Sequence, residues 1–347
     1  MYTPQFTISN TLLKTIGTIE AAREVIENAP LVPAWEAKFR QEAMVRSAYH
    51  GTHIEGNALN YSEADKVLSG AKVVGRERDI QEVLNFRNVL KFISEYNHPE
   101  LTQESVKHMH ELTVYRLLAE EVVGEYRKTQ VVVKNSQTGE ITFRPPPAIE
   151  VPFLIADFLT WLNGSTPESI HPVLKAGIAH YEFVRIHPFL DGNGRVARAL
   201  ATLILFRDGY DVKRFFSLEE HYDREPLRYY DALQAVGKQG GNITEWLEYF
   251  SEGLAIELTR IKEKVKSLST DLKIKKSLGG QQLSLTERQI KLVEFIQENG
   301  FLQNKVFFEL FPMISEDTVL RELNDLIKKG IVKKEGTTKG ARYVLKN

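Results

Sequence analysis

The chain contains 347 residues, of which 42% are hydrophobic and 26% charged, and its formal net charge is −1. This composition is typical of ordinary soluble proteins, and the length leaves room for two or three domains. The absence of cysteine excludes disulfide bonds and thiolate metal sites. The longest strongly apolar run, near residues 196–206, is too short to span a bilayer, and the first residues lack a signal-peptide pattern. We therefore expect a cytoplasmic protein without a membrane partner.

The N-terminal part of the chain is predicted to be helical. Residues 19–45 form helices with a proline break at 30–33, and the second helix runs from about residue 34 to a turn near Gly51. The stretch G-T-H-I-E-G-N at 51–57 is by itself a helix end, closed by its glycine and asparagine.

Three further helices are predicted before residue 120. They cover residues 61–70, with Ser62 as N-cap, residues 79–96, and a segment that begins after the N-cap Thr102. The third helix carries His108 and His110. Because side chains two positions apart do not share a helix face, we interpret these histidines as structural rather than as a metal pair.

The clearest strand signal lies at Val131–Val133, and a turn-like segment at 136–140 separates it from a second short strand, Ile141–Phe143. These segments predict a β-hairpin. Two helices with apolar periodicity follow, at 151–163 and 171–186. His180 on the second helix is expected to be a core or helix-surface residue rather than a catalytic one.

The most informative stretch is H-P-F-L-D-G-N-G-R-V-A-R at 187–198. Apolar residues recur behind it with helical spacing, so its glycines end a loop and a buried helix starts near Asn193. The glycines let the backbone approach a phosphate, and the helix N-terminus offers free N–H groups and a favourable dipole. Arg195 and Arg198 project from nearly the same face and suit phosphate oxygens. The pattern predicts a polyphosphate site.

Two other residues of this stretch add reactive chemistry. Asp191 is a candidate Mg²⁺ ligand, because Mg²⁺ takes one or two carboxylates together with phosphate oxygens. His187 lies just before the glycines, where a general base can meet a hydroxyl nucleophile. Asp-Gly and Asn-Gly are common turn dipeptides, and His-Pro-Phe fits ordinary packing. The coincidence of all these groups in one short run favours a functional site.

Downstream of this helix, residues 227–233 form a helix that carries the adjacent Tyr229 and Tyr230. The tyrosines are either core residues or an aromatic face beside a nucleotide base. After a helix that opens near 242–246, apolar residues alternate spacings of four and three from Leu254 to Leu272. This a/d seam of about two and a half heptads either packs on the body or mediates a homodimer.

The C-terminal third has the character of a separate module, since residues 259–347 carry 18 Lys and Arg against 11 Asp and Glu. A hinge at 277–282 precedes three helices, capped at the first by Thr286 and at the third by Ser315, and a terminal hairpin. This order resembles a winged helix-turn-helix domain. The hairpin is basic, at Lys333, Lys334, Lys339 and Arg342, which suits DNA phosphates. The third helix carries several acidic residues, which a major groove disfavours, so DNA and a protein partner both stay open.

Residues 187–198 resemble, without departure, the signature H-P-F-x-D/E-G-N-G-R-x-x-R of the Fic (Fic/Doc) family. The resemblance covers roughly residues 34–250. It implies nucleotidyl transfer, usually of AMP from ATP, to a Ser, Thr or Tyr hydroxyl of a target protein. By position, His187 would deprotonate the hydroxyl, Phe189 would anchor the loop, and Asp191 would bind Mg²⁺. The phosphates would be held by Gly192, Asn193, Gly194, Arg195 and, at the γ-phosphate, Arg198.

The resemblance also gives meaning to segments outside the signature. Many family members carry an inhibitory helix with the pattern S/T-x-x-x-E-G/N, which Glu55 and its glycine match, although Gly51 replaces the Ser or Thr. Glu55 would pair with Arg198 in the place of the γ-phosphate. The hairpin would be a flap that docks a target segment as an added strand. Val131, Val132, Val133 and Lys134 would line its nucleotide side, and Tyr229 and Tyr230 would border the adenine and ribose.

We therefore expect a mainly α protein: a Fic-type helical bundle with a β-hairpin flap, and a small C-terminal winged-helix domain. The expected parts are an N-terminal helical region at 1–95, a catalytic core at 96–252, a linker helix and hinge at 253–282, and the winged helix at 283–347. The expected function is adenylylation of a target protein, or of the chain itself, autoinhibited by Glu55. Two alternatives stay open: a DNA-binding regulator whose pocket senses a nucleotide, and removal of AMP or phosphotransfer at the same pocket. The intact His187 favours an enzyme, because a sensor would not need the base.

Overall fold

The computed structural model describes residues 2–29, 31, 33–134, 139, 141–165, 169–210, 214–268, 285–312, 314–336 and 341–346. Most of the predicted turn at 136–140, the hinge at 277–282, Leu272 and Lys339 lie outside these residues. The chain divides into two compact units: residues 1–28 with 32–262, and residues 29–31 with 263–347. Within the described ranges, no helix is long and apolar enough to cross a membrane.

The structure is mainly helical, which confirms the predicted fold class. The first part of the chain contains ten α-helices, two short 3-10 helices and one hairpin in the described residues up to 243, followed by a long α-helix. In chain order the α-helices and strands are α1 Asn10–Glu27, α2 Pro33–His53, α3 Tyr61–Leu68, α4 Glu77–Glu95, α5 Gln103–Val114, β1 Val133–Lys134, β2 Ile141–Phe143, α6 Val151–Gly164, α7 Pro172–Ile186, α8 Asn193–Arg207, α9 Leu218–Arg224, α10 Pro226–Lys238 and α11 Thr244–Leu268.

Helix α8 lies at the centre of the first unit and packs against α2, α4, α5 and α7. Its apolar side chains are buried, and Val196, Leu200 and Leu203 are fully inaccessible to solvent. Arg195 and Arg198 on the same helix are also buried. Because a buried charge is costly unless it is paired, these arginines require anionic partners.

Two N-terminal boundaries differ from the prediction. Helix α2 continues through Gly51 to His53, because Gly51 packs directly against the ring of Phe86 on α4 and stays within the helix. Helix α3 is capped by Asn60 rather than Ser62. Asn60 accepts from the backbone N–H of Glu63, and the Glu63 carboxylate accepts from the backbone N–H of Asn60. This reciprocal capping box satisfies two free donors, which Ser62 inside the helix cannot do.

The hairpin is shorter than predicted, since its first strand is Val133–Lys134 rather than Val131–Val133. Val133 pairs with Phe143 and Lys134 with Ile141, with an irregular register between the two pairs. Earlier in the chain, the Gln130 side chain donates to the carbonyl of Pro145. Proline has no backbone N–H, so the three consecutive prolines at 145–147 cannot extend the ladder.

Helix α11 is continuous from the predicted last core helix into the predicted a/d seam. Leu254 and Leu258 of the seam are fully buried. Arg46 of α2 forms ion pairs with Glu220 of α9, at 2.7 Å, and with Glu257 of α11, at 3.1 Å. These contacts favour packing on the body for this part of the seam, and a homodimer stays a prediction.

The second unit contains a small core of its own. Its elements are α12 Glu287–Asn299, α13 Phe307–Leu310, α14 Glu316–Lys328, β3 Val332–Glu335 and β4 Arg342–Leu345, and the two strands pair antiparallel. The core includes Leu292, Leu302 and Leu323. Thr286 and Gln289 form the predicted capping box. This is the element order on which the prediction of a winged helix-turn-helix rests.

The acidic residues of α14 are partly neutralised inside this unit. Glu322 accepts from Arg288 at 2.8 Å, and Asp325 accepts from Gln289 and pairs with Lys329. The choice between DNA and a protein as partner of this unit remains a prediction.

Candidate active site

The loop between α7 and α8, residues 187–192, is closed by its own side chains. Asn193 accepts from the backbone N–H of Phe189 at 2.9 Å and donates to the carbonyl of Phe189 at 2.8 Å. The Phe189 ring is fully buried and stacks on His110 with 3.8 Å between ring centroids. The loop is therefore anchored in the core. The Asn193 side chain is engaged in these bonds to Phe189. The phosphate contact predicted for Asn193 would therefore be made by its backbone N–H, one of the first in α8.

His187 ends α7 in the left-handed conformation, with φ 50° and ψ 60°. Its Nδ1 lies 3.3 Å from the carbonyl oxygen of Val184. A carbonyl only accepts, so this contact places the ring proton on Nδ1 and leaves the lone pair on Nε2. Burial lowers the pKa of His187, and the nearby Arg127 lowers it further. The ring is therefore neutral near pH 7 and suited to accept a proton.

Two residues that the sequence analysis did not assign to the site hold this loop in place. Arg127, which is buried, donates from Nε to the carbonyl of His187 at 2.8 Å, and from Nη2 to the carbonyl of Pro146. His110 accepts from the Gly124 N–H at 3.0 Å and donates from Nε2 to the Asp191 carbonyl at 3.1 Å. His110 was predicted to be structural, but no local pattern indicates which segment it supports.

The α8 N-terminus and two arginines form a pocket for negative charge. Gly192 has φ +80°, and a Cβ there would lie 2.9 Å from Val114. Arg195 pairs with Asp191 at 3.3 Å and with Glu82 at 3.6 Å. Within the described residues, Nε and Nη1 of both Arg195 and Arg198 are buried without a hydrogen-bond partner. Buried unpaired donors are rare in proteins, so these guanidinium groups fit an anionic ligand with several oxygens.

Glu55 lies over this pocket. Its Oε1 is 2.9 Å from Nη2 of Arg198, and a Cβ on Gly194 would lie only 2.6 Å from the same oxygen. The carboxylate therefore rests on the N-terminus of α8, where an anion is favoured. Burial acts to lower the pKa of Arg198, but the Glu55 carboxylate, together with Tyr229 and Tyr230, raises that pKa overall. The two residues that the sequence analysis expected to pair are in contact.

Position 51 is a glycine where the family pattern has Ser or Thr, and the structure gives a reason for this difference. A Cβ at this position would lie 2.7 Å from the Phe86 ring, so a Ser or Thr would not fit without a shift. The carbonyl of Gly51 accepts from Nη2 of Arg198 at 2.9 Å. The hydroxyl of Thr52 donates to the carbonyl of Ala48 inside α2 and does not cap the turn. The backbone of Gly51, rather than a hydroxyl, therefore helps to hold Arg198.

Asp191 is the residue best placed for a metal ion. Its side chain is 45% exposed, and Oδ1 accepts from the Gly192 N–H. The described residues contain no group of three or more His, Asp or Glu side chains that could hold a metal. A single accessible carboxylate beside a phosphate pocket fits an ion whose other ligands are phosphate oxygens and water, which is the usual arrangement for Mg²⁺.

The remaining predicted residues are partly exposed or lie in the core. Val132 is exposed, while Val131 and Val133 are half-buried; only the backbone of Lys134 is described. Tyr229 is buried, and its hydroxyl lies 2.9 Å from Nε2 of His180. Tyr230 is 38% exposed beside it. Tyr229 is thus a core residue, and the accessible aromatic ring belongs to Tyr230.

Residues 100–205 match the model of the Fic/DOC family. The chain is 35% identical over 175 residues to a protein adenylyltransferase Fic of Drosophila grimshawi, covering 49% of this chain and 35% of the relative. It is 28% identical over 244 residues to one of Culex quinquefasciatus, covering 69% and 46%. The chain therefore spans less than half the length of these curated relatives.

Two solved structures are similar to larger parts of the chain. A Fic family protein from Desulfovibrio desulfuricans G20 has a TM-score of 0.68 and 25% identity, covering 99% of this chain and 98% of that one. A fragment of Fic-1 from C. elegans has a TM-score of 0.61 and 26% identity, covering 74% and 73%. The intact signature, its anchored loop and these matches show that residues 100–205 form a Fic/DOC domain.

Proposed function

We propose that this chain is a protein adenylyltransferase that moves AMP from ATP to a Ser, Thr or Tyr hydroxyl of a target protein or of itself. The observation that carries the proposal is one site that combines buried arginine N–H groups without a hydrogen-bond partner and a neutral histidine. The buried Nε and Nη1 atoms of Arg195 and Arg198 suit a polyphosphate, and His187 presents an unprotonated Nε2. The relatives named protein adenylyltransferase support the choice of reaction.

The transfer needs little covalent chemistry from the protein. The hydroxyl oxygen of the target attacks the α-phosphorus of ATP, its proton passes to Nε2 of His187, and the bond to the β-phosphate oxygen breaks. Pyrophosphate leaves while the α8 N-terminus, Arg195 and Arg198 stabilise its charge. Asp191 would hold the Mg²⁺ that accompanies the nucleotide and neutralises phosphate charge. Catalysis then follows from positioning and charge stabilisation.

We further propose that Glu55 inhibits this reaction. Its carboxylate occupies the pocket above Gly194 and takes Nη2 of Arg198, the donor expected to hold the terminal phosphate. With that donor taken, ATP binds without its third phosphate in place, and the α-phosphorus is not aligned for attack. Activation requires that Glu55 leave Arg198, so a neutral or absent side chain at position 55 should release the enzyme.

The test uses purified protein, Mg²⁺ and ATP labelled at either the α- or the γ-phosphate, with label followed on the protein itself and on a cell lysate. Four proteins are compared: the unmodified chain, Glu55→Gly, His187→Ala, and the control Glu95→Gly at the exposed end of α4. We expect α-label to appear, to rise at least tenfold in Glu55→Gly, to vanish in His187→Ala, and to stay unchanged in Glu95→Gly.

Other outcomes identify the alternatives. Transfer of γ-label in place of α-label would mean that the phosphates bind in the reverse order and that the chain is a phosphotransferase. Loss of α-label from a pre-labelled target, faster with Glu55 present, would indicate AMP removal. No transfer by any variant would overturn the enzyme proposal and leave a nucleotide-sensing regulator.

A further inference from the structure

Glu82 of α4 lies outside the signature, yet its buried carboxylate contacts three parts of the molecule. Its Oε2 accepts from Nδ2 of Asn57 at 2.9 Å, and its Oε1 lies 3.2 Å from Nε of Arg78 and 3.6 Å from Nη1 of Arg195. The side chain is only 7% exposed. A buried carboxylate is costly unless it is paired, so this position implies a defined task.

The first branch of these contacts runs from Glu82 through Asn57 to Glu55, the proposed inhibitory glutamate. Asn57 stands two residues after Glu55, in a turn where Gly56 has φ +92°. Besides its bond to Glu82, the Asn57 amide donates to the carbonyl of Asp79 and accepts from the N–H of Leu59. These bonds fix the end of the turn on α4. The position of Glu55 over the pocket therefore depends on Asn57, and Glu82 supplies one of the contacts that hold Asn57.

The second branch is the contact between Glu82 and Arg195 in the proposed phosphate pocket. The Arg195 guanidinium lies between two carboxylates, Glu82 and Asp191. Asp191 is 45% exposed and expected to hold Mg²⁺, so its pairing with Arg195 is screened by solvent and changes when the nucleotide binds. Glu82 is buried and keeps its place. It is therefore the fixed partner that orients Arg195.

We propose that Glu82 is a positioning residue that acts on both sides of the nucleotide site. It orients Arg195 toward the phosphates, and through Asn57 it holds Glu55 on Arg198. The proposal rests on the proposed function and adds a link to it: one carboxylate sets both the affinity for ATP and the strength of the inhibition. Neither the signature nor the pattern around Glu55 contains this residue.

Two substitutions separate the branches. Asn57→Ala removes the hydrogen bond to Glu82, together with those to the Asp79 carbonyl and the Leu59 N–H, and leaves the Glu82–Arg195 pair. Glu82→Gln keeps an oxygen that can accept from Asn57 but removes the charge that orients Arg195. Glu95→Gln, on the same helix and exposed, makes the same charge change away from the site. Thermal melting of each variant confirms that it is folded.

ATP affinity is measured by calorimetry with Mg²⁺ in the His187→Ala, Glu55→Gly double variant, in which neither turnover nor inhibition interferes. We expect Glu82→Gln to weaken ATP binding about tenfold, the scale of one lost charge-assisted contact. Asn57→Ala and Glu95→Gln should change it less than twofold. An unchanged affinity in Glu82→Gln would overturn the second branch.

Inhibition is measured as transfer of α-label with and without Glu55. We expect Asn57→Ala to raise transfer at least fivefold when Glu55 is present, and to change it less than twofold when residue 55 is glycine. An equal effect in both backgrounds, or no effect in either, would overturn the first branch. If Glu55→Gly itself transfers no label, the proposed function fails, whereas the calorimetric arm still decides whether Glu82 orients Arg195.

Discussion

Residues 187–194, the proposed phosphate loop, and residues 131–134 and 141–143, the proposed flap, are built in opposite ways. The loop is closed by reciprocal hydrogen bonds between Asn193 and Phe189 and is anchored by a fully buried ring. The flap is a hairpin of two- and three-residue strands with an irregular register, and Val132 and Ile141 are exposed.

The contrast follows from which part of the proposed reaction needs a fixed geometry. Phosphate charge and proton transfer depend on atoms held within fractions of an ångström, so the loop is preorganised by buried contacts. Docking of a target strand uses backbone hydrogen bonds at an open edge, and a short exposed hairpin adapts to different sequences. Substitutions in the loop should therefore affect ATP chemistry and stability, and substitutions in the flap only the choice of target.

The largest effect is expected at Arg127, which joins the loop to the proline segment that follows β2. Arg127 donates to the carbonyls of His187 and Pro146, so Arg127→Gln leaves buried acceptors without their donor. We expect a loss of about 3 kcal/mol in the free energy of unfolding and about a hundredfold fall in kcat in the Glu55→Gly background. Denaturant unfolding and label transfer measure the two effects. The control, Arg116→Gln at an exposed position, should change neither quantity. A normal kcat in Arg127→Gln would show that the loop keeps its conformation without Arg127.

Two glycines with positive φ allow a matched comparison of loop and flap. Gly192→Ala places a Cβ 2.9 Å from Val114 at φ +80°, so left-handed strain and overpacking add to about 3 kcal/mol. Gly139→Ala, at φ +73° with no described atom within 4 Å, carries only the strain, about 1 kcal/mol. Thermal melting should rank them in this order. ATP affinity in the His187→Ala background should fall for Gly192→Ala alone, and an equal fall in both would contradict the comparison.

The pH dependence of transfer tests the state of the base. Burial lowers the pKa of His187. The neutral ring therefore still predominates at a pH of about 6.5, the ordinary pKa of histidine. In the Glu55→Gly variant, the midpoint of the acidic decline in kcat/KM should lie below pH 6.5. This acidic limb reports the free enzyme. A midpoint above 6.5 would mean that another group controls the reaction or that the ring is not buried.

The smallest effect on ATP chemistry is expected at the flap. Ile141 is 44% exposed on β2, so Ile141→Lys adds a charge at the open edge without removing core packing. Label transfer to lysate proteins should fall about threefold to tenfold, while ATP affinity changes less than twofold. Ile8→Lys, at another exposed isoleucine, is the control for added charge. Weaker ATP binding in Ile141→Lys would show that the flap also shapes the nucleotide site.

Local chemistry let the sequence predict several features that the structure contains. The start of α8 at Asn193, the N-cap at Thr102 and the capping box at Thr286 depend on residues within one helical turn. The strand at 131–133 and the cap at Ser62 were wrong. In both places other residues decided the outcome. The prolines at 145–147 lack the N–H groups that would extend the ladder, and Asn60 rather than Ser62 caps the helix.

The supports of the site could not be predicted in the same way. Arg127 contacts the loop from 60 residues away, and His110 contacts it from 81 residues away. Glu82 contacts both Asn57 and Arg195, which lie in two segments far from each other in the sequence. Such contacts exist only after the helices pack, because no periodicity or spacing in the sequence relates their positions.

The helical class, the position of the proposed phosphate loop and the residue types that can carry the chemistry follow from the sequence, because each depends on neighbours along the chain. The tertiary structure decided which charges meet: Glu55 with Arg198, Glu82 with Asn57 and Arg195, and Arg127 with the loop. It also placed Tyr229 in the core and left Tyr230 accessible. These outcomes depend on burial and on the distance between segments, which only the packed fold fixes.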